Sequence, residues 1–179
     1  MGTQRNWYSE LGVDVWAQEA AAVGSLADGV DSQTFNRVVE LLSEVRGKIV
    51  TTGTGTSGVA AKKIAHTLSC VNRPAFFLSP ADAVHGALGV VQSSDVAVVV
   101  SKGGNTAELV RMLPALRDQG ARILGVSENT DSEVAKQSDV FVKIVVEREP
   151  DPFNMLATAS TMAVIAYFDA VAICLMRAT

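Results

Sequence analysis

Five short runs of apolar and β-branched residues recur along the chain, separated by polar or mixed segments. They lie at 48–52, 75–78, 96–101, 122–126 and 141–146. Most of these runs are continuously apolar rather than alternating, which is typical of strands that are covered on both faces of a sheet. The pattern therefore predicts five buried, parallel strands.

Helical periodicity fills the intervals between these runs. Residues 57–70 place polar side chains on one helical face and apolar side chains on the other, and residues 105–119 repeat leucine and methionine at helical spacing. Gly120 is the expected end of the second helix, and Pro114 is expected to kink or split it. Strands that alternate with helices predict right-handed βαβ units. The expected fold is α/β, with a doubly wound, five-stranded parallel sheet and helices on both faces.

Three more helices are predicted outside this alternation. Two precede the first strand, at about 8–27 and 32–45, and a long one closes the chain at about 153–177. The first helix carries more apolar surface than a minimal α/β core buries, including both tryptophans of the chain. Residues 1–46 are therefore expected to pack against a second subunit. No linker, repeat or low-complexity tract interrupts the sequence, so residues 1–179 are predicted to form one domain.

The composition narrows the classes of function. Hydrophobic residues make up 48% of the 179, charged residues 19%, and the net charge is −4. This acidic balance disfavours a nucleic-acid partner, which needs a basic surface. The start of the chain lacks the apolar core of a signal peptide, and no uncharged apolar stretch reaches 18 residues, so a cytoplasmic protein with no membrane partner is expected. Cys70 and Cys174 lie in apolar helical runs and are interpreted as reduced core cysteines. Neither histidine nor the acidic residues have metal-ligand spacing, so no metal is expected.

The loop after the first predicted strand has the spacing G-x-G-x-x-G, made by Gly53, Gly55 and Gly58. That spacing is the fingerprint of dinucleotide binding. An NAD site also needs an acidic residue at the end of the second strand, about 20 residues further on. There the sequence reads FFLSP, and the nearest acid, Asp82, lies beyond the proline. NAD binding is therefore disfavoured, and a nucleotide-binding protein is kept only as a weak alternative.

A second loop of the same chemistry, Ser101 to Thr106, follows the third predicted strand and opens a helix. In open α/β sheets, ligands bind outside the carboxyl ends of the strands, where the strand order reverses. Glycines let the backbone approach an anion, hydroxyls donate to phosphate oxygens, and a helix N-terminus adds partial positive charge. The two loops together predict a phosphate site. For either loop alone, an ordinary βα turn with a capping hydroxyl is the alternative.

Four segments, taken in order, resemble the sugar isomerase (SIS) domain family, specifically its single-domain phosphosugar isomerases. They are GTGTSGVAAKKIA, PAFFLSPADAVHGALGVV, the stretch from SDVAVVVSKGGNTAEL to SDVFVKI, and EREPDPFNMLATAST. The resemblance covers about residues 35–178 and is greatest to the arabinose-5-phosphate isomerases. It implies a five-stranded parallel sheet, homodimers or homotetramers with sites near subunit interfaces, and cofactor-free interconversion of aldose and ketose phosphates through an enediol.

The resemblance also implies a set of ligand-binding residues. Those for phosphate and sugar are Gly55, Thr56, Ser57, Ser101, Gly103, Gly104, Asn105, Thr106, Ser160 and Thr161. Gly103 stands where the family's S-x-S-G-x-T loop has its middle serine, so one hydroxyl contact is missing while the backbone N–H groups remain. Lys102 either compensates with its charge or is a solvated surface lysine.

The catalytic candidates implied by the resemblance are Glu149 and His85. Enediol proton transfer needs a base and a group that polarises the carbonyl. Glu149 matches the carboxylate of the family's E-x-x-P turn, with a solvated loop glutamate as the alternative. His85 matches a histidine near the substrate, with a structural histidine as the alternative. Thr56 stands where these isomerases have a lysine, and Asn105 where many have glutamate. A non-catalytic phosphosugar sensor is therefore the alternative function.

Overall fold

The predicted strands form one parallel sheet in a computed structural model that describes residues 6–177. The strands are β1 Ile49–Thr52, β2 Ala75–Phe77, β3 Val96–Val100, β4 Arg122–Ser127 and β5 Val140–Lys143. Their order in the sheet is β2-β1-β3-β4-β5. The order reverses between β1 and β3, so the expectation of a doubly wound sheet is confirmed. Thr52 pairs with Val99 and Val100 with Val126, which brings the loops after β1, β3 and β4 out at one edge.

Helices cover both faces of the sheet. They are α1 Asn6–Gly24, α2 Leu26–Gly29, α3 Ser32–Ser43, α4 Gly55–Cys70, α5 Pro80–Val84, α6 Ala107–Asp118, α7 Glu133–Lys136 and α8 Ala159–Arg177, with a 3₁₀ turn at Ala87–Val90. Helices α3, α4 and α8 share one core cluster with the sheet, and α5, α6 and α7 share the other. Each β3 side chain is buried in one cluster or the other, which explains the continuously apolar runs.

Pro114 lies inside α6 and does not split it. The proline ring is on the solvent side of the helix, while four side chains on the opposite side are fully buried. These are Leu109, Met112, Leu113 and Leu116. Each contributes about 1.5–3 kcal/mol by burial, against about 3 kcal/mol for an interior proline. Packing therefore outweighs the missing hydrogen bond, and the expected break is wrong.

The last helix begins at Ala159, six residues later than the pattern predicts. The Asp151 carboxylate accepts hydrogen bonds from the backbone N–H groups of Phe153, Met155 and Leu156 at 2.8–2.9 Å. An aspartate that binds nearby backbone N–H groups offers them an alternative to helical hydrogen bonds. The segment that precedes α8 is therefore a turn beside the carboxyl edge of the sheet.

Two details of the helices differ from expectation. The first predicted helix is two helices in the structure, since α1 ends at Gly24 and α2 begins at Leu26. Cys70 is exposed at the end of α4 and Cys174 is half-buried, so the interpretation of Cys70 as a core residue is wrong; both thiols are free. Helix α8 is long and apolar enough to span a membrane by length and composition, but it forms part of the core.

Candidate functional site

A cleft opens at the carboxyl edge of the sheet. Its floor is apolar and consists of residues at or just beyond the ends of β3, β4 and β5. These are Val100, Val126 and Ile144. Its walls carry polar groups from four different segments. These are Ser57, Ser101, Lys102, Ser127, Glu128, Ser160 and Thr161. The cleft thus gathers hydroxyls and charges where α/β proteins bind ligands.

The first loop owes its glycine spacing to close backbone packing. A Cβ atom on Gly53 would lie 2.8 Å from the Ser57 carbonyl oxygen, and one on Gly58 would lie 2.7 Å from the Gly53 carbonyl oxygen. The strand and the helix can approach this closely only without those side chains. Packing therefore accounts for two of the three glycines without a dinucleotide. Ser57, in the first turn of α4, lines the cleft, whereas Thr56 beside it is exposed.

The second loop is held by its own hydroxyls and by α7. Ser101 Oγ lies 3.0 Å from Thr106 Oγ1 and accepts a hydrogen bond from the Gly104 N–H at 3.1 Å. Gly104 has a φ of +71°, and a Cβ there would lie 2.1 Å from Ser132 Oγ. Glycine is thus required at 104 for both its conformation and its surroundings. The loop is fixed before any ligand arrives.

Asn105 is directed toward α7. Its Oδ1 accepts a hydrogen bond from the Glu133 N–H at 2.9 Å, and the residue does not line the cleft. Its neighbour Gly103 is exposed, with open space where a side chain would stand. The structure therefore brings Ser57, Ser101 and the α8 hydroxyls together in the cleft, but it does not bring Asn105 with them.

Glu149 is fully buried, with 0% of its side chain exposed. Its Oε1 accepts from the Lys102 ammonium at 2.7 Å and from the Ser160 hydroxyl. Its Oε2 accepts from the backbone N–H groups of Thr158 at 3.0 Å and Ser160 at 3.3 Å. The alternative of a solvated loop glutamate is therefore wrong for Glu149. Lys102 is partly exposed, but it is the partner of a buried carboxylate rather than an unpaired surface lysine.

The hydrogen bonds of Glu149 determine its ionisation. Burial alone would raise the pKa of the carboxyl group, since it disfavours the charged form. Hydrogen bonds from Lys102, Ser160 and the Thr158 N–H favour the charged form more strongly, so the pKa lies below its ordinary value. Glu149 is consequently a carboxylate at neutral pH.

His85 is exposed on the turn that follows α5 and is not among the residues that line the cleft. Within one chain, His85 therefore does not share the cleft with the predicted phosphate-binding serines. Within residues 6–177 no cluster of three or more histidine, cysteine or acidic side chains could hold a metal ion.

Two cleft residues, Ser127 and Glu128, escaped the sequence-based prediction. They lie at and just after the end of β4, where the Ser127 hydroxyl donates to the Lys102 carbonyl at 2.7 Å and the Glu128 N–H donates to it at 3.0 Å. The sequence does contain a signal for these two residues, because β4, like β1 and β3, leads into a polar segment, SENT at 127–130. The rule that ligands bind at strand carboxyl ends applies to that loop as well.

Comparisons with known proteins agree with this architecture. The SIS domain family matches residues 41–174. Arabinose 5-phosphate isomerase of Escherichia coli O6:H1 is 34% identical over 161 residues, an alignment that covers 90% of this chain and 49% of that protein. The chain thus spans about half the length of the curated relatives it matches.

Two solved structures share the fold across nearly the whole chain. A Listeria monocytogenes protein, provisionally described as a sugar-phosphate isomerase, has a TM-score of 0.96 and 50% identity, covering 99% of this chain and 93% of that one. An Escherichia coli CFT073 protein in complex with arabinose 5-phosphate has a TM-score of 0.94 and 31% identity, covering 98% and 93%. The sheet order, the cleft and these similarities lead to one conclusion: the chain belongs to the SIS domain family.

Proposed function

We propose that this protein is a phosphosugar isomerase that interconverts an aldose phosphate and a ketose phosphate through an enediol, without a cofactor. The observation that carries the proposal is the cleft itself. It combines serine hydroxyls from two glycine-rich loops with the Lys102 side chain, whose ammonium is paired with the buried Glu149 carboxylate. The relatives named arabinose 5-phosphate isomerase and the neighbour bound to that sugar phosphate make a pentose 5-phosphate the first substrate to test.

The phosphate is proposed to bind between the loops that follow β1 and β3. Ser57 and Ser101 offer hydroxyls there, and the Gly103 N–H belongs to the same loop, whereas the Gly104 N–H already donates to Ser101 Oγ. The sixteen-residue helix α4 begins at this point, and its N-terminus favours an anion. The sugar is then proposed to extend along the cleft toward Ser160 and Thr161.

Glu149 is the proposed base. Its Oε1 contacts Lys102 and Ser160, both of which line the cleft, so this oxygen is the one nearer to a bound sugar. Proton transfer between neighbouring carbons needs a base within hydrogen-bond reach. His85 is the second candidate for proton transfer. Because it is exposed on its own chain, its proposed role requires the cleft of a neighbouring subunit.

The proposed assembly is a cytoplasmic homodimer or homotetramer in which α1 packs against another subunit. Helix α1 lies along α8 and leaves Trp7, Leu11 and Trp16 between 49% and 67% exposed. Large exposed apolar groups on one helix are typical of a protein–protein contact. Mass measurement by light scattering tests the assembly, and a monomer would contradict it. The first five residues lie outside the described part of the chain.

The alternative is a phosphosugar sensor without turnover. The observation that favours it is the set of four hydrogen bonds that already occupies the Glu149 carboxylate. A carboxylate engaged in this way accepts a substrate proton only if a donor withdraws. Binding without proton transfer is the distinctive behaviour of a sensor.

Proton–deuterium exchange separates the two functions. Wild-type protein in D₂O should incorporate deuterium beside the carbonyl of a pentose 5-phosphate, as followed by NMR, whereas a sensor should bind the sugar without exchange. A ligand at 100 times its dissociation constant adds about 2.7 kcal/mol of stability, so a thermal-shift screen establishes binding independently.

Two matched variants test which carboxylate is the base. Glu149→Gln should abolish exchange while leaving sugar binding nearly unchanged. Glu128→Gln alters the carboxylate residue that lines the cleft directly and should retain exchange. Exchange that survives Glu149→Gln but not Glu128→Gln would reverse the assignment.

A further inference from the structure

The Lys102 side chain lines the cleft and ends in an ion pair. Its residue follows β3, and its carbonyl accepts from the Ser127 hydroxyl and the Glu128 N–H, at 2.7 and 3.0 Å. Its ammonium lies 2.7 Å from Oε1 of Glu149, a residue of the segment between β5 and α8. Both the backbone and the ammonium of Lys102 are therefore held in place.

Lys102 supplies the positive charge of the cleft. Among the described residues that line the cleft, it is the single cation. One of its N–H groups meets Glu149, and no other group within residues 6–177 accepts from the ammonium, so two N–H groups are available to a ligand. The lysine side chain is 34% exposed and its counter-ion 0%. The cation thus faces the cleft, with the carboxylate behind it.

We propose that Lys102 is the catalytic residue that polarises the sugar carbonyl, held in position by Glu149. This inference rests on the proposed isomerase function. The base removes the proton from the carbon beside the carbonyl, and the C–H electron pair forms the C=C bond of an enediolate. The carbonyl π pair moves onto its oxygen, where Lys102 donates a hydrogen bond and keeps its own charge.

The remaining steps balance without another reactant. The abstracted proton returns to the former carbonyl carbon, and the neighbouring hydroxyl loses its proton as a C=O bond forms there. The former carbonyl oxygen gains a proton in exchange, so no oxidant or reductant is consumed. A fixed cation next to the oxygen that becomes negative stabilises the transition state more than the ground state.

The position of the ammonium favours the carbonyl over the phosphate. The phosphate loops follow β1 and β3, whereas the ammonium is paired with Glu149, which also accepts from the Ser160 hydroxyl at the start of α8. Ser160 lines the part of the cleft toward which the sugar is proposed to extend. A sugar held by its phosphate at the loops therefore directs its other end, the reacting end, toward Lys102.

The experiment measures kcat, KM and phosphate binding in Lys102→Met, in Lys102→Gln and in two comparison variants. Lys102→Met removes the charge, and Lys102→Gln also removes it but retains an N–H donor for Glu149 in case the methionine variant fails to fold. Ser57→Ala reports on the phosphate loops. Lys136→Met is the matched control. It removes the lysine of the exposed Lys136–Glu133 ion pair, which lies outside the cleft. Circular dichroism verifies the fold of each variant.

Both neutral variants of Lys102 should lower kcat and the deuterium-exchange rate by about 100- to 1,000-fold, the effect of removing one donor to a developing oxyanion. Their Kd for inorganic phosphate should stay within about twofold of wild type. Ser57→Ala should instead raise that Kd by about 10- to 150-fold, as expected for a hydrogen bond to a charged group. Lys136→Met should match wild type.

Two results would overturn the inference while the proposed function stands. One is a folded Lys102→Gln protein with kcat close to wild type. The other is a neutral variant whose phosphate Kd rises as in Ser57→Ala while kcat at saturation is retained, which would make Lys102 a phosphate ligand. Wild-type protein that exchanges no deuterium with any bound sugar phosphate would instead defeat the proposed function itself.

Discussion

Restoring the hydroxyl that the second loop lacks should tighten phosphate binding. Gly103 occupies the position at which the related loop carries its middle serine. A Cβ atom built on Gly103 meets no heavy atom within 4 Å, and the residue lacks the left-handed backbone conformation that Gly104 has. Gly103→Ser should therefore fold without strain and place a new donor at the mouth of the proposed phosphate site.

The size of the effect follows from two opposing terms. A hydrogen bond to a charged group contributes about 1.5–3 kcal/mol. Immobilising the new side chain costs about 1 kcal/mol. The net gain of about 0.5–2 kcal/mol corresponds to a Kd that falls about 2- to 30-fold. Gly103→Ala is the matched control, since it makes the same backbone change and adds no hydroxyl.

Isothermal titration with inorganic phosphate and with a pentose 5-phosphate measures the change. Gly103→Ser should bind both ligands more tightly than Gly103→Ala, which should resemble wild type. Gly104→Ser is a negative control for folding, because its Cβ would lie 2.1 Å from Ser132 Oγ at a φ of +71°. Equal affinities of the serine and alanine variants at 103 would refute the assignment of this loop to phosphate.

Three further predictions concern binding and stability. Ser57→Ala should weaken phosphate binding by about 1.5–3 kcal/mol in calorimetry, and unchanged affinity would remove the first loop from the site. Asp95→Ala should lower the free energy of unfolding, measured in urea, by about 2–5 kcal/mol. The reason is that the backbone N–H groups of Lys48 and Gln92, at 2.7 and 2.9 Å from the carboxylate, lose a buried acceptor. A loss below about 1 kcal/mol would contradict this. The depressed pKa of Glu149 contributes stability that is present above the carboxyl's ordinary value of 4.5 and is lost as pH falls through the lower folded-state value. Thermal melting of Glu149→Gln should thus vary less with pH in the acidic range, and equal pH dependence would exclude the effect.

The fold could be predicted from the sequence because its determinants are local or repetitive. The central strands β1 and β3 are apolar runs that are fully buried, so the runs at 48–52 and 96–101 predict them within one residue at each end. The failures arose where a local tendency met a competing contact. Buried leucines on the opposite side of α6 stabilise the helix despite Pro114. The Asp151 carboxylate binds backbone N–H groups before α8, so that helix begins later than predicted.

The candidate site was predictable only where its chemistry lies in a single loop. Hydroxyls at Ser57 and Ser101 follow predicted strands, and their meeting in one cleft follows from parallel strands at a switch point. The Lys102–Glu149 pair joins residues 47 positions apart. Glu149 is in turn held by Thr158 and Ser160 at the start of α8, another contact that a local pattern does not encode.

That pair also explains how an acidic chain can offer a site to an anion. Buried charges are costly unless they are paired and hydrogen-bonded, and Glu149 meets this condition through four donor groups of three residues. The arrangement fixes one ammonium at the cleft and withdraws its counter-ion from solvent. Removing the carboxylate would release the lysine, and removing the lysine would leave a buried carboxylate short of one donor. The two residues therefore act as a unit, and the effects of their single substitutions on turnover cannot add in the double variant.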